Sequence, residues 1–66
     1  MNKEFDFFVY LIESYSNYKN ISTSSVLDIL KKNNLTQFIY NMYEIYHVED
    51  LHNAFLDIDT LINNEK

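Results

Sequence analysis

This chain of 66 residues is long enough for one domain, residues 1–66, and it contains no cysteine, glycine or proline. The missing cysteine excludes disulfides, thiolate zinc sites and thiol nucleophiles, and the missing glycine argues against phosphate-binding glycine loops. Ten acidic residues against five lysines and no arginine leave a net charge of −5, which disfavours binding to nucleic acid and to anionic membranes.

The first predicted helix covers about residues 3–18 and has a wide apolar face. Its apolar side chains occupy about half of the helix circumference, against a stripe of ~100° on an ordinary surface helix. These side chains are Phe5, Phe7, Phe8, Val9, Leu11, Ile12, Tyr15 and Tyr18. We therefore expect this helix to lie at the centre of the fold or to be shared with a second copy, and to end at Lys19-Asn20.

The second predicted helix is short, about residues 24–32, and has a polar signal at each end. Ser22 or Thr23 can accept a hydrogen bond from a free backbone N–H at its start. Its apolar face consists of Val26, Leu27, Ile29 and Leu30. Asn33-Asn34 predicts its end, because Asn is the best residue after Gly for a left-handed backbone.

The third predicted helix covers about residues 37–47, with Thr36 as its N-cap, and is rich in aromatic residues. At 100° per residue, one face is predicted to lie in the core and consists of Phe38, Ile39, Met42, Ile45 and Tyr46. A second face, here named the tyrosine stripe, consists of Tyr40, Tyr43, Glu44 and His47.

Two interpretations of the tyrosine stripe stay open. Its spacing of i, i+3, i+4 and i+7 makes one continuous surface, and Tyr is frequent at the energetic centre of interfaces. We therefore predict it as a partner-binding site. The alternative is that the rings lie over the edge of the core with their polar tips in water.

The fourth predicted helix runs from residue 48 or 49 to residue 62. Its apolar residues recur at helical spacing and are Leu51, Ala54, Phe55, Ile58, Leu61 and Ile62. The four segments predict an all-α, compact bundle of about four short helices with a helix-turn-helix-like middle. The first and last helices are expected to supply the main core. The surplus of apolar residues predicts a homodimer or a complex with another protein.

The sequence argues against catalysis and metal binding. Glu44 to His47 and Glu49 to His52 both have the Glu-x-x-His spacing of di-metal bundles, but both begin outside the apolar faces. His52 and Asp59 are two turns apart and cannot form a dyad. A bundle of this size also has little room for a ligand pocket of ~300 Å³. We predict no enzymatic activity, no catalytic, cofactor or metal residues, and no small-molecule substrate.

Most of the chain, about residues 3–62, resembles a bacterial family of very short proteins classified as a domain of unknown function. The resemblance is carried by two segments, EFDFFVYLIESYSNYKNISTSSVL and FIYNMYEIYHVEDLHNAFLDID. Its most specific parts are FIYxMYExYH at residues 38–47 and NAFxDID at residues 53–59. The family tends to have Gly where this chain has Asn34, and Asn tolerates the same left-handed backbone. Members are often encoded beside a predicted toxin of ADP-ribosyltransferase type, so the resemblance implies an antitoxin-like or accessory partner.

The function expected from the sequence is a non-enzymatic protein–protein interaction module in the cytoplasm, since no leader or membrane-spanning run is visible. Its partner would be another protein, such as a toxin, or a second copy. The tyrosine stripe and nearby acidic residues would occlude a basic surface. The alternative is a helix-turn-helix-type transcriptional regulator or an acidic DNA-mimicking inhibitor. The third predicted helix has no Lys or Arg for DNA contact. A dimeric metal protein is a third and weaker option.

Overall fold

The computed structural model describes residues 2–64, and within them the chain forms helices and no strands. The five helices are α1 (Lys3–Lys19), α2 (Thr23–Lys32), α3 (Thr36–Tyr40), α4 (Tyr43–Tyr46) and α5 (Leu51–Asn64). The all-α prediction is confirmed, and α2, the turn at residues 33–35 and α3 make up the middle of the chain. None of the helices in residues 2–64 combines the length and apolarity that a membrane crossing requires.

Both ends of α1 are capped by asparagine. The Asn2 side chain accepts a hydrogen bond from the Phe5 backbone N–H at 3.0 Å. At the other end Asn20 has a left-handed backbone (φ 60°), and the next residue, Ile21, donates its N–H to the Ser16 carbonyl at 3.0 Å. This closing pattern satisfies carbonyls that the helix would otherwise leave free. The predicted end at Lys19-Asn20 is confirmed.

The predicted signals at both ends of α2 are confirmed. The Ser22 hydroxyl accepts a hydrogen bond from the Ser25 backbone N–H at 3.1 Å and is therefore the N-cap. Asn34 takes the left-handed conformation (φ 58°) after the helix. Leu35 donates its N–H to the Leu30 carbonyl at 2.8 Å, and both leucines are buried. Their apolar contact accompanies this type of helix end.

The prediction of one continuous third helix is wrong, because a turn at Asn41-Met42 divides it into α3 and α4. The rotation of 100° per residue, from which the two faces were predicted, therefore does not continue across this turn. Phe38 and Ile45, predicted to be buried, are therefore 46% and 50% exposed. The other predicted core residues of this segment are buried or partly buried, namely Ile39, Met42 and Tyr46.

Two predicted helix starts are also corrected. Helix α3 begins at Thr36, so Thr36 is not its N-cap. Leu35 occupies that position without a side-chain cap, because its hydrocarbon side chain has no hydrogen-bond acceptor. Helix α5 begins at Leu51 instead of residue 48 or 49. Asp50 ends the preceding loop, and its carboxylate accepts a hydrogen bond from the His52 backbone N–H at 2.9 Å.

The core lies around α1, which contacts α2, α3 and α4. Its buried apolar residues come from every helix and are Leu11, Ile12, Tyr15, Val26, Leu30, Leu35, Ile39, Tyr46, Ala54, Phe55 and Ile58. The central position predicted for the first helix is thus observed. Four residues of the apolar faces predicted for the first two helices are instead exposed, namely Phe5, Val9, Tyr18 and Leu27. Three of them, Phe5, Val9 and Leu27, lie together, as described below.

Candidate functional site

The tyrosine stripe lies against the first half of α1. The ring centroid of Tyr40 is 5.5 Å from that of Phe8, and the ring of Tyr43 meets that of Phe7 edge-on at 5.7 Å. The Tyr40 hydroxyl is also 3.5 Å from the Asn2 side-chain oxygen. Both tyrosines are partly buried by these contacts. One side of each ring therefore supports the fold, and the remainder is accessible to a partner.

The other two members of the stripe are exposed. The His47 ring stacks on the Tyr43 ring, with centroids 4.1 Å apart and planes 2° from parallel. Its Nδ1 atom is 2.5 Å from the Tyr43 carbonyl oxygen, so the imidazole is held in one orientation. Glu44 is the charged member of the stripe. The two tyrosines of the stripe thus pack on neighbouring residues of α1, and its two other members are exposed.

A second surface, an open apolar groove between α1 and α2, was not predicted. It has a volume of about 270 Å³ and is lined by Phe5, Phe8, Val9, Ile12, Glu13, Thr23 and Leu27. We call it the α1/α2 groove. Its floor is the buried Ile12, and its rims include Phe5 and Leu27, which are 53% and 41% exposed.

The groove lies along the first half of α2, which contributes Thr23 and Leu27, and along the N-terminal part of α1, which contributes the other lining residues. The sequence assigned Phe5, Val9 and Leu27 to the core because each lies on the apolar side of its own helix. The available signal was the width of the apolar face on the first helix, which exceeds what one short neighbour can bury.

Phe8 connects the groove with the tyrosine stripe. Its ring lines the α1/α2 groove and also packs against the ring of Tyr40. The neighbouring Phe7 packs against Tyr43. The N-terminal half of α1 therefore supports both candidate surfaces.

Two buried tyrosines donate hydrogen bonds to carboxylates of α5. The Tyr46 hydroxyl is 2.7 Å from Asp57, and the Tyr15 hydroxyl donates to Asp59, which is also 3.3 Å from the Lys19 amine. Burial is the main cause that raises the pKa of both tyrosines above the ordinary value. The hydrogen bond to the carboxylate and the negative charge of that carboxylate raise it further. Both hydroxyls therefore stay protonated as donors, and the pairs fasten α5 to the rest of the bundle.

The two Glu-x-x-His sequences do not converge on a common centre. The His47 ring stacks on Tyr43, and the His52 ring meets the Tyr18 ring edge-on with centroids 5.6 Å apart. Within residues 2–64, no three His, Asp or Glu side chains are grouped closely enough to hold a metal ion.

Comparison with known proteins gives one match. Searches of curated proteins and of solved structures return no match. A profile of the family described as "Protein of unknown function (DUF3791)" matches residues 6–65. Because this match covers most of the 66 residues, the chain belongs to the DUF3791 family.

Proposed function

We propose that this protein is a non-enzymatic protein–protein interaction module. The observation that carries the proposal is the α1/α2 groove, where Phe5, Val9 and Leu27 leave apolar surface in water on a very small domain. Apolar surface that is concentrated at one place on a small protein commonly marks an interaction site. Covering these side chains would contribute favourable free energy to binding at roughly 25 cal/mol per Å² of apolar area.

The dimensions of the groove favour a protein partner over a small molecule. Its volume of about 270 Å³ lies just below the ~300–1,000 Å³ of typical small-molecule sites. It is also open along the two helices, so it would enclose a drug-sized ligand poorly. A few apolar side chains of a partner protein would fill it.

The proposal assigns a second part of the interface to the tyrosine stripe. Tyr40 and Tyr43 already pack on α1, so replacing them by Ala would disturb the fold as well as a partner contact. Glu44 is exposed and belongs to the same stripe. Glu44→Lys therefore tests the stripe without removing a ring contact: weaker binding supports this part of the proposal, and unchanged binding refutes it.

The family resemblance extends the proposal to a toxin as the partner. The supporting features are the acidic charge of −5 and the resemblance to proteins encoded beside predicted ADP-ribosyltransferase-type toxins. The module would act by occluding a basic surface of the toxin. The proposal takes the cytoplasm as the compartment, because small secreted domains usually depend on disulfides, and this chain has no cysteine.

The experiment compares two matched variants in a pull-down followed by mass spectrometry from the native host. Leu27→Asp places a charge in the groove, whereas Leu56→Asp places one on α5, where Leu56 is similarly exposed at 49%. A partner that is captured by the wild type and by Leu56→Asp, but lost with Leu27→Asp, supports the proposal. Equal capture by all three proteins, with unchanged helicity by circular dichroism, refutes the groove assignment.

The toxin assignment has its own test. An ADP-ribosyltransferase-type toxin encoded beside a member of the resembled family is expressed in cells together with the chain. Cell growth is measured with wild type, Leu27→Asp and Leu56→Asp. Rescue of growth by the wild type and by Leu56→Asp, but not by Leu27→Asp, supports neutralisation through the groove. Rescue by none of them refutes the antitoxin role.

The regulator alternative has less support from the geometry. The helix that would enter the DNA groove, α3, has five residues and no basic side chain. Recognition helices normally place several side chains against base edges and phosphates. A gel shift at low salt with the promoter of its own gene separates the two functions, because a regulator must bind that DNA.

A further inference from the structure

The lining residues of the α1/α2 groove follow the surface of one helix for about two turns. Phe5, Phe8, Val9 and Ile12 stand at i, i+3, i+4 and i+7 on α1. The distance from the first to the last is about 10 Å along the helix axis. An amphipathic helix places its own apolar side chains at the same spacing, so a helix lying along α1 can seat three or four of them.

One wall of the groove is acidic. Val9 lies between Asp6 and Glu13 on the surface of α1, three residues from the first and four from the second. Both carboxylates are exposed, and within residues 2–64 neither is paired with a basic side chain. The residues that line the groove include Glu13 and no Lys. A cationic residue of the partner next to its apolar stripe would therefore meet negative charge along this wall.

A second copy of the chain fits this wall poorly. Each copy carries a net charge of −5, and a symmetric pairing of groove with groove would bring the two Glu13 side chains towards each other. A stable dimer also buries ~800 Å² per copy. That is nearly a fifth of the 4517 Å² accessible surface, much more than a groove two turns long provides.

We infer that the occupant of the α1/α2 groove is an amphipathic helix of another protein, with apolar residues at helical spacing and Lys or Arg beside them. The inference rests on the proposed interaction function and specifies the partner. The apolar residues of that helix supply the contact with Phe5, Val9 and Leu27. Its basic residues supply selectivity through Asp6 and Glu13.

Three fluorescent peptides test the inference by anisotropy. The first is a helical peptide with Leu at i, i+3, i+4 and i+7 and Lys on the flanks. The second has Glu in place of every Lys, and the third has the composition of the first with the Leu positions scrambled. We expect the first to bind at least tenfold more tightly than the other two at low salt. Its advantage over the Glu peptide should shrink in 1 M NaCl, because salt screens exposed charges.

Variants of the full chain locate the binding. Asp6→Asn combined with Glu13→Gln should reduce the preference for the Lys peptide over the Glu peptide at least threefold. Glu49→Gln removes an exposed charge outside the groove and should leave that preference unchanged. Leu27→Asp should abolish binding of the Lys peptide, whereas Leu56→Asp should not.

Each contrary outcome identifies which part fails. If the Lys and Glu peptides bind equally well, the partner's basic residues are not recognised and that part of the inference is overturned. If the scrambled peptide binds as tightly as the Lys peptide, the helical spacing of the partner's apolar residues is overturned. Self-association of the wild type that Leu27→Asp removes, measured by sedimentation, identifies a second copy as the occupant and overturns the inference. If no peptide binds but Leu27→Asp still loses the native partner, the inference fails and the interaction function stands. If Leu27→Asp still binds the Lys peptide and the native partner as the wild type does, the groove proposal itself fails.

Discussion

The hydrogen bonds of two buried tyrosines, Tyr15 to Asp59 and Tyr46 to Asp57, predict that the fold loses stability steeply above pH 10. An unfolded tyrosine ionises with a pKa near 10, whereas burial and the carboxylate partner raise the pKa of Tyr15 and Tyr46 in the folded state. Above pH 10 the unfolded chain therefore binds fewer protons than the folded one. Stability is fully present below pH 10 and falls as the pH rises towards the folded-state pKa values.

The size of the effect follows from proton linkage. Each tyrosine lowers the free energy of unfolding by up to ~1.4 kcal/mol per pH unit in this window. The two tyrosines together remove about 2 kcal/mol between pH 10 and pH 11. A domain of this length has a total stability of roughly 3–10 kcal/mol, so this loss is a large fraction of the whole.

The assay is urea unfolding followed by far-ultraviolet circular dichroism between pH 8 and pH 11.5. Tyr15→Phe and Tyr46→Phe should each remove about half of the alkaline slope, and the double variant should remove most of it. At pH 8 each substitution should cost about 1 kcal/mol, the worth of one hydrogen bond. Tyr10→Phe, which removes an exposed hydroxyl, is the matched control and should keep the wild-type slope.

The reasoning is refuted if the double variant loses stability above pH 10 as steeply as the wild type. A second measurement is independent of unfolding: ultraviolet absorbance counts tyrosinates directly. Tyr15 and Tyr46 should ionise only well above pH 10 or as the protein unfolds.

Three further predictions concern stability at neutral pH. Leu11→Ala removes a fully buried side chain and should lower the free energy of unfolding by about 2–5 kcal/mol in urea titration. Leu56→Ala on the surface should cost well under 1 kcal/mol, and equal losses would contradict the assigned core. Ser22→Ala should cost about 1 kcal/mol by removing the cap of α2, and Ser22→Asp should restore most of it in the same titration. Asn34→Gly should be neutral or stabilising and Asn34→Ala should cost ~1 kcal/mol in thermal unfolding, because the backbone is left-handed there; the reverse order would contradict that geometry.

The sequence predicted the ends of α1 and α2 best, because the interactions that end these helices are local. Ser22, Asn20 and Asn34 each form or stop a helix through hydrogen bonds to residues within about five positions. For this reason α1 and α2 were predicted to within one residue at each end. The central position of α1 followed in the same way from the width of its apolar face.

The sequence failed where an outcome depends on distant parts of the chain. Asn41 was a local signal for the turn at Asn41-Met42, but the helical spacing of apolar residues continues on both sides of it and favoured one helix. The α1/α2 groove depends on how one helix packs along another, which the periodicity within a single helix does not predict. The packing of Tyr40 on Phe8 also depends on the tertiary fold, so the spacing within residues 37–47 could not predict it.

The shortness of α3 and α4 also has a consequence for the motions of the molecule. Helices of five and four residues do not persist alone in water, because the cost of starting a helix is recovered only over ~12 residues or more. Residues 36–46 therefore keep their helical hydrogen bonds only while they are docked on α1. Their amide hydrogens should exchange with solvent through local opening, whereas those around Leu11 should exchange only through global unfolding. The frequency of this opening sets how often Tyr40 and Tyr43 leave α1 and present both faces of their rings.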